Sequence, residues 1–206
     1  MLRPRFIRTL LAAPAAFLLA ACGDQRTPTE AARANTPSTA LREALDPGHI
    51  GGIVAHDACD PATFNGAFGL GTCVKEGRTT IDAFVAQVSE THAAKGWHLT
   101  SDNATARLGV DILGNNVGGE VHTFTAVRQF GDGSIFGPLN EVLGNPDVAA
   151  ECGQLDSDDL VPSGGKYAIE AEKLASVVDG SGIARVQCCI HPWMRTEIHM
   201  QGAAVN

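Results

Sequence analysis

The sequence has few aromatic residues, few basic residues and no long apolar run after its first 21 residues. Phe, Trp and Tyr make up 5% of the 206 residues, and 15 Lys and Arg stand against 23 Asp and Glu. Neither a basic surface for phosphates nor a set of aromatic side chains for base stacking is present, so no nucleic-acid partner is expected. No later segment approaches the ~18 apolar residues of a membrane-spanning helix.

The motifs of common hydrolases are also missing. The chain contains neither Gly-x-Ser-x-Gly nor His-Glu-x-x-His, which in other proteins present a nucleophilic serine or a catalytic zinc ion. No internal repeat is found. These absences argue against the hydrolases that carry these motifs.

The N-terminus has the pattern of an export signal. Three arginines lie within the first eight residues, and the apolar run at residues 10–21 is too short to span a bilayer. The run ends in Leu-Ala-Ala-Cys, which resembles the bacterial lipobox. This resemblance implies that residues 1–21 are a cleaved signal peptide and that Cys22 is lipidated. We therefore expect a protein anchored to a membrane of the bacterial cell envelope, on the periplasmic or outer-membrane side; an ordinary signal with an incidental cysteine is the alternative.

Composition divides the rest of the chain into three parts. Residues 22–47 are rich in Thr, Ala, Pro and charge, which is typical of a tether. Residues 48–96 are expected to form an N-terminal extension with one amphipathic helix at about 80–94, where apolar residues recur at helical spacing. Residues 97–206 are expected to form the main domain. Without the signal the formal charge is −11.

The main domain shows short β-rich runs separated by glycine, proline and asparagine. In residues 106–113, Ala, Leu, Val and Ile at the even positions alternate with Arg, Gly, Asp and Leu at the odd positions. Residues 121–127 form a second β-rich run. Two further runs lie at 167–171 and 183–188, and residues 139–143 suggest a helical turn. This rhythm favours an antiparallel sandwich or barrel over a βαβ fold.

The most informative segment is Cys188-Cys189-Ile190-His191-Pro192-Trp193-Met194. It presents a thiolate, an imidazole and a thioether within seven residues, a donor set that suits copper. If Cys188 ends a strand, the following loop can bring His191 and Met194 to the same ion. His122, in a separate strand-like run, is the candidate for the remaining ligand. His122, Cys188 and His191 with a weak axial Met194 would form a trigonal blue-copper site.

At these residues the sequence resembles the cupredoxins, the group of plastocyanin, azurin and amicyanin. The resemblance covers roughly residues 97–200, and the ligand loop is most similar to that of amicyanin. Family membership implies a mainly β, Greek-key sandwich of about eight strands with one type 1 copper ion at one end. It also implies single-electron transport rather than turnover of a small-molecule substrate, so we expect a carrier and not an enzyme. His191, on an exposed end loop, would be the port for electrons, with Pro192 and Trp193 on the surface around it.

One position departs from the family pattern. The upstream histidine is usually followed by an asparagine that ties the two ligand loops together, whereas Thr123 follows His122 here. Threonine can supply one such hydrogen bond. We expect Thr123 to support the ligand loops in altered form.

The six cysteines divide by role. Cys188 rather than Cys189 has the two-residue gap to His191, and neighbouring strand residues face opposite sides of the sheet. With Cys22 assigned to lipid and Cys188 to copper, four cysteines remain, which allow three disulfide pairings. The short-loop pairing joins Cys59 to Cys73 and leaves Cys152 for Cys189.

The preferred hypothesis is a copper-binding electron carrier whose redox protein partner offers a basic docking patch to this acidic chain. A copper scavenger or delivery protein with the same ligands is one alternative. A structural envelope β-sandwich without metal is the other, since His122 could be a core histidine and Met194 could simply pack. A second metal site at His56, Asp57 and Cys59 is a weaker hypothesis.

Overall fold

The computed structural model describes residues 52–100 and 103–202, without the side chains of residues 103 and 104. The expected signal peptide at residues 1–21, the lipidated Cys22 and the tether at 22–47 lie outside the described residues. Within the described part, no helix is both long enough and apolar enough to cross a bilayer.

Eight strands in the described residues form two four-stranded sheets. The strands are β1 Ile53–His56, β2 His98–Leu99, β3 Asn103–Arg107, β4 Ile112–Asn116, β5 Thr125–Val127, β6 Lys166–Ile169, β7 Ile183–Gln187 and β8 Arg195–Gln201. The first sheet has the order β2-β1-β4-β6 and the second has the order β3-β8-β7-β5. The mainly β, sandwich-like fold expected from the sequence is therefore confirmed.

Both sheets are mixed. In the first, β1 pairs parallel with β4 and antiparallel with β2, and β4 pairs antiparallel with β6. In the second, β3 pairs parallel with β8, while β7 pairs antiparallel with both β8 and β5. Residues 48–96 thus contribute an inner strand, β1, to the first sheet.

The hydrophobic core is formed by apolar side chains of both sheets and of the helices. Its largest buried aliphatic members include Ile53, Ile169, Leu174 and Ile198. A second, smaller core consists of Val127, Ala149, Cys152 and Cys189. Burial of large aliphatic side chains contributes about 1.5–3 kcal/mol each, which identifies this apolar interior as the main stabilising feature.

The described residues also contain four α-helices: α1 Pro61–Phe68, α2 Ile81–Thr91, α3 Gly137–Leu143 and α4 Ala171–Val177. Helix α1 begins after Asp60, whose side chain accepts a hydrogen bond from the Thr63 N–H, and Pro61 occupies its first turn. The expected extension helix is α2, with Thr80 as its N-cap. It ends three residues earlier than expected because His92 adopts the left-handed conformation, with φ 55°.

Two strand assignments from the sequence need correction. Residues 106–113 do not form one strand, because a turn with Gly109 at φ +82° separates β3 from β4. The run at 121–127 is a strand only over its last three residues, and His122 makes an isolated bridge to Val161. The helical turn expected at 139–143 is part of α3.

Candidate metal centre

The ligand loop joins the neighbouring strands β7 and β8. Cys188 directly follows β7 and Met194 directly precedes β8. Two backbone hydrogen bonds fold the loop, from the Cys188 N–H to the Met194 carbonyl at 3.0 Å and from the Met194 N–H to the His191 carbonyl at 2.9 Å. His122 lies just before β5, which pairs with β7 through Thr125 and Gln187. Strand pairing therefore brings His122 and Cys188 to the same end of the sheet.

Three expected ligands meet at this end. The Cys188 Sγ lies 3.7 Å from the His122 Nδ1 and 3.9 Å from the His191 Nδ1. The ligand atoms of all three residues lie within 4.8 Å of one another, and all three residues are buried. The structure thus gathers residues that are 66 positions apart in the chain into one potential metal site.

The spacing of these atoms fits a single ion. A metal bonded to sulfur at about 2.3 Å and to nitrogen at about 2.0 Å, with an angle of about 120°, separates the two donors by about 3.7 Å. The observed separations, 3.7 and 3.9 Å, agree with that trigonal value. Thiolate and imidazole are the donors of trigonal copper sites, so the residues present fit copper.

The site favours the thiolate form of Cys188, which is the form that binds metals. Burial would raise the pKa of this thiol, but the hydrogen bonds and charges of His122 and His191 outweigh burial and lower the pKa well below its usual range. Burial also opposes protonation of His122, whereas its contacts with Asp57 and Cys188 raise its pKa to about 9.

Asp57, in the loop after β1, holds the far side of the His122 ring. The His122 Nε2 donates to the Asp57 Oδ2 at 2.9 Å, and both side chains are almost fully buried. The same oxygen accepts the backbone N–H of Glu120 at 2.9 Å. Burial would raise the pKa of Asp57, but these hydrogen bonds hold it at about 2. Because Nε2 donates, the lone pair of the neutral ring is on Nδ1, which faces Cys188.

Gly118 provides the space for this carboxylate. A Cβ atom at residue 118 would overlap the Asp57 Oδ2 and lie 3.0 Å from the Asp57 nitrogen. The absence of a side chain at residue 118 is therefore a requirement of the His122–Asp57 contact.

Glu120 occupies the corresponding position beside His191. Its Oε2 lies 3.6 Å from the His191 Nε2 and accepts a hydrogen bond from the Trp97 indole N–H at 2.6 Å. Burial is the main reason why the pKa of Glu120 is raised above its usual value. Each ligand histidine thus has a buried carboxylate near the ring nitrogen that points away from Cys188.

His191 is buried, and the expectation of an exposed electron port is wrong. Only 3% of the residue is exposed, because Phe84 of α2, Trp97 and Trp193 surround its ring at centroid distances of 6.3, 6.3 and 5.6 Å. Pro192 is buried too, whereas Trp193 is partly exposed. The residues that cover His191 include Phe84, which belongs to the segment ahead of residue 97.

Met194 and Thr123 are both joined to the segment of Cys188 by hydrogen bonds, Met194 through its backbone. Met194 is fully buried in the main core. The Thr123 Oγ1 accepts the backbone N–H of Cys189 at 2.8 Å, and the Thr123 N–H points to the Cys188 Sγ at 3.5 Å. Thr123 thus links the segment of His122 to the segment of Cys188.

Four cysteines of the described residues form two disulfides, Cys59–Cys73 and Cys152–Cys189, the same pairing as the short-loop choice. Cys188 is the free cysteine of the described residues. Asp57, Cys59 and Glu120 also lie close together, but the Cys59 sulfur is bonded to Cys73 and cannot act as a thiolate ligand. The second metal site suggested by the sequence is therefore wrong, although Asp57 does serve the main centre.

Sequence reasoning missed the carboxylates and the aromatic cover. Asp57 is 65 residues from His122 in the chain, and no local spacing connects them. The closely spaced His56, Asp57 and Cys59 indicated a site near residue 57, but they did not indicate that Asp57 contacts His122.

Comparisons with known proteins give little further information. No family model and no curated protein matches the chain. A solved structure described as a novel purple cupredoxin from Nitrosopumilus maritimus is similar over 55% of this chain and 90% of that chain, with 12% identity and a TM-score of 0.31. Because that score is low, we assign no function to this chain from it.

Proposed function

We propose that this protein binds one copper ion at His122, Cys188 and His191 and carries single electrons. The observation that supports the proposal is the placement of one buried cysteine sulfur 3.7 and 3.9 Å from two imidazole Nδ1 atoms. Bound copper would supply the one-electron couple. Met194 is the proposed weak fourth ligand, as its position at the end of the ligand loop suggests.

The surrounding residues support electron transfer by keeping the ligands fixed. Asp57 orients the His122 ring, and Thr123 ties the two ligand segments together. The Cys152–Cys189 disulfide anchors the residue next to Cys188. A rigid, buried ligand set changes little between two oxidation states, which keeps the reorganisation small. The same burial opposes ready release of the ion, so we favour a carrier over a delivery protein or an enzyme.

Electrons would enter or leave through the residues that cover His191. Trp193 is partly exposed, and its ring centroid lies 5.6 Å from that of His191. We propose that a redox protein partner docks against this face with a basic patch, attracted by the −11 formal charge of the chain without its signal. Electron-transfer rates that do not fall with added salt would contradict the proposed electrostatic attraction between this chain and its partner.

The cellular location that we propose depends on the lipobox-like motif that ends at Cys22. We propose that Cys22 carries the lipid and holds the protein on the envelope membrane. Replacing Cys22 with Ser should release the protein into the soluble envelope fraction; retention in the membrane fraction would contradict this.

Visible and electron paramagnetic resonance spectra test the copper proposal. The oxidised, copper-loaded protein should show the intense visible band of a Cu(II)–thiolate bond, and ascorbate should bleach it reversibly. Cys188→Ser should abolish the band, whereas the control Cys152→Ala/Cys189→Ala, which removes the neighbouring disulfide, should retain it. If the copper-loaded protein is colourless, the proposal is wrong. If the protein releases its copper when ascorbate reduces it, the result favours the delivery alternative.

A further inference from the structure

A pocket of about 320 Å³ lies beside the metal centre, between α1, α2 and α3. Its floor includes the buried side chains of Phe64, Phe84 and Leu139. Its rim includes Phe68 and Phe136, which are 46% and 40% exposed and pack edge to face at 5.5 Å. A buried floor and an open rim define an entrance for a small molecule rather than a flat surface patch.

Three polar side chains interrupt the apolar walls of the pocket, Thr72, Glu120 and the proposed copper ligand His191. The Thr72 hydroxyl donates to the Gly69 carbonyl. The Trp97 N–H and the His191 Nε2 both lie against the Glu120 Oε2. Within residues 52–100 and 103–202, no hydrogen bond engages the other carboxylate oxygen, Oε1, and 11% of the Glu120 side chain is exposed. Glu120 therefore offers a hydrogen-bond acceptor in a mainly apolar cavity.

We propose that this pocket binds a small, neutral aromatic molecule with a hydroxyl group, which donates its hydrogen bond to Glu120. The four phenylalanine rings of the lining favour an aromatic ligand through edge-to-face contacts. A hydroxyl group can donate its single hydrogen to the carboxylate of Glu120. A cation would lose its hydration against walls that are almost entirely apolar, with a single carboxylate to compensate.

The proposal does not depend on copper. The lining residues belong to the protein itself, so binding is expected in the metal-free protein as well. If copper also binds as proposed, the ligand would sit against one of its histidine ligands, where it could affect electron transfer. Failure of the copper proposal would leave the binding result unchanged.

The test uses 2-naphthol as the probe and the metal-free protein. Titration followed by NMR should give saturable, one-to-one binding with ring-current shifts at His191 and Leu139. 2-Methoxynaphthalene, which has the same ring system but no hydroxyl donor, should bind about tenfold more weakly, as expected for loss of the hydrogen bond to Glu120. Equal affinity for the two probes, or no binding of either, would overturn the proposal.

Two matched variants locate the probe. Val85, on the α2 side of the pocket, is 36% exposed and Leu108, in the turn after β3, is 39% exposed. Val85→Trp should fill the pocket and weaken 2-naphthol binding at least about tenfold, while Leu108→Trp should leave it unchanged. Unchanged affinity in Val85→Trp would place the probe elsewhere. Tighter binding of the cation 2-naphthylmethylammonium would show that the ligand class is wrong.

Discussion

The contact between Asp57 and His122 can be tested by two substitutions that separate charge from hydrogen bonding. Asp57→Asn keeps an acceptor oxygen where Oδ2 receives the N–H groups of His122 and Glu120, but it removes the negative charge. Asp57→Ala removes the acceptor as well. Asp111→Asn is the control, because Asp111 accepts a hydrogen bond from the Ala171 N–H and precedes β4 at its far end from the metal centre.

The size of the effect follows from the pKa of Asp57, which falls from 3.8 to about 2 on folding. Each pKa unit corresponds to about 1.4 kcal/mol, so the charge contributes about 2–3 kcal/mol to the free energy of unfolding at neutral pH. We expect Asp57→Asn to lose about that amount. Asp57→Ala should lose about 3–5 kcal/mol, because the N–H groups of Cys59, Glu120 and His122 also lose their acceptor.

The pH dependence has a defined sign. A carboxyl group with a lowered pKa in the folded protein stabilises it above the unfolded pKa, and this contribution is lost as the pH falls through the folded pKa. The difference in stability between the natural protein and Asp57→Asn should therefore be largest near pH 7 and shrink between about pH 4 and pH 2. The copper reduction potential should rise in Asp57→Asn, since a lost negative charge disfavours Cu(II), and stay constant in Asp111→Asn.

Urea unfolding of the metal-free variants, followed by tryptophan fluorescence between pH 2 and 7, measures these stabilities. If Asp57→Asn were as stable as the natural protein at pH 7, the buried carboxylate would not stabilise the folded protein, contrary to this prediction. A potential that shifts equally in Asp111→Asn would show that the effect is not local.

Two further predictions concern the residues that support the site. Gly118→Ala should lower the free energy of unfolding by about 3 kcal/mol, because the new Cβ displaces the Asp57 carboxylate. The control is Gly66→Ala in α1, where a new Cβ meets no other atom, and it should raise the free energy of unfolding by about 0.5–1 kcal/mol in the same urea assay. Removing the Cys152–Cys189 disulfide, which closes a 37-residue separation, should lower it by about 4 kcal/mol, and a loss below 1 kcal/mol would contradict the chain-entropy account.

The parts of the fold that were predictable from the sequence are those encoded locally. Helix α2 could be predicted because its apolar residues recur at helical spacing. Its end just before His92 could not be predicted, because a histidine in the left-handed backbone conformation has no distinct sequence pattern. The alternation at 106–113 was misleading for a different reason. β3 and β4 belong to different sheets, so one continuous alternating pattern spans two separate strands and the turn at Gly109.

At the metal centre too, features encoded locally in the sequence could be predicted, whereas long-range contacts could not. Cys188, His191 and Met194 lie on one loop, so their spacing alone suggested a common ion. Asp57 reaches the site through strand β1, whose place between β2 and β4 depends on long-range pairing. The burial of His191 also depends on a long-range contact with α2. Neither feature has a local signature, and therefore the carboxylate support and the aromatic cover could be found only in the structure.

Copper X-ray absorption of the oxidised protein, loaded with one equivalent of the metal, shows whether Cys188, His122 and His191 bind the ion together. We expect one short copper–sulfur bond from Cys188 and two imidazole nitrogens from His122 and His191, with loss of the short sulfur bond in Cys188→Ser. A spectrum with only oxygen and nitrogen ligands, or one that is identical in Cys188→Ser, would contradict this expectation.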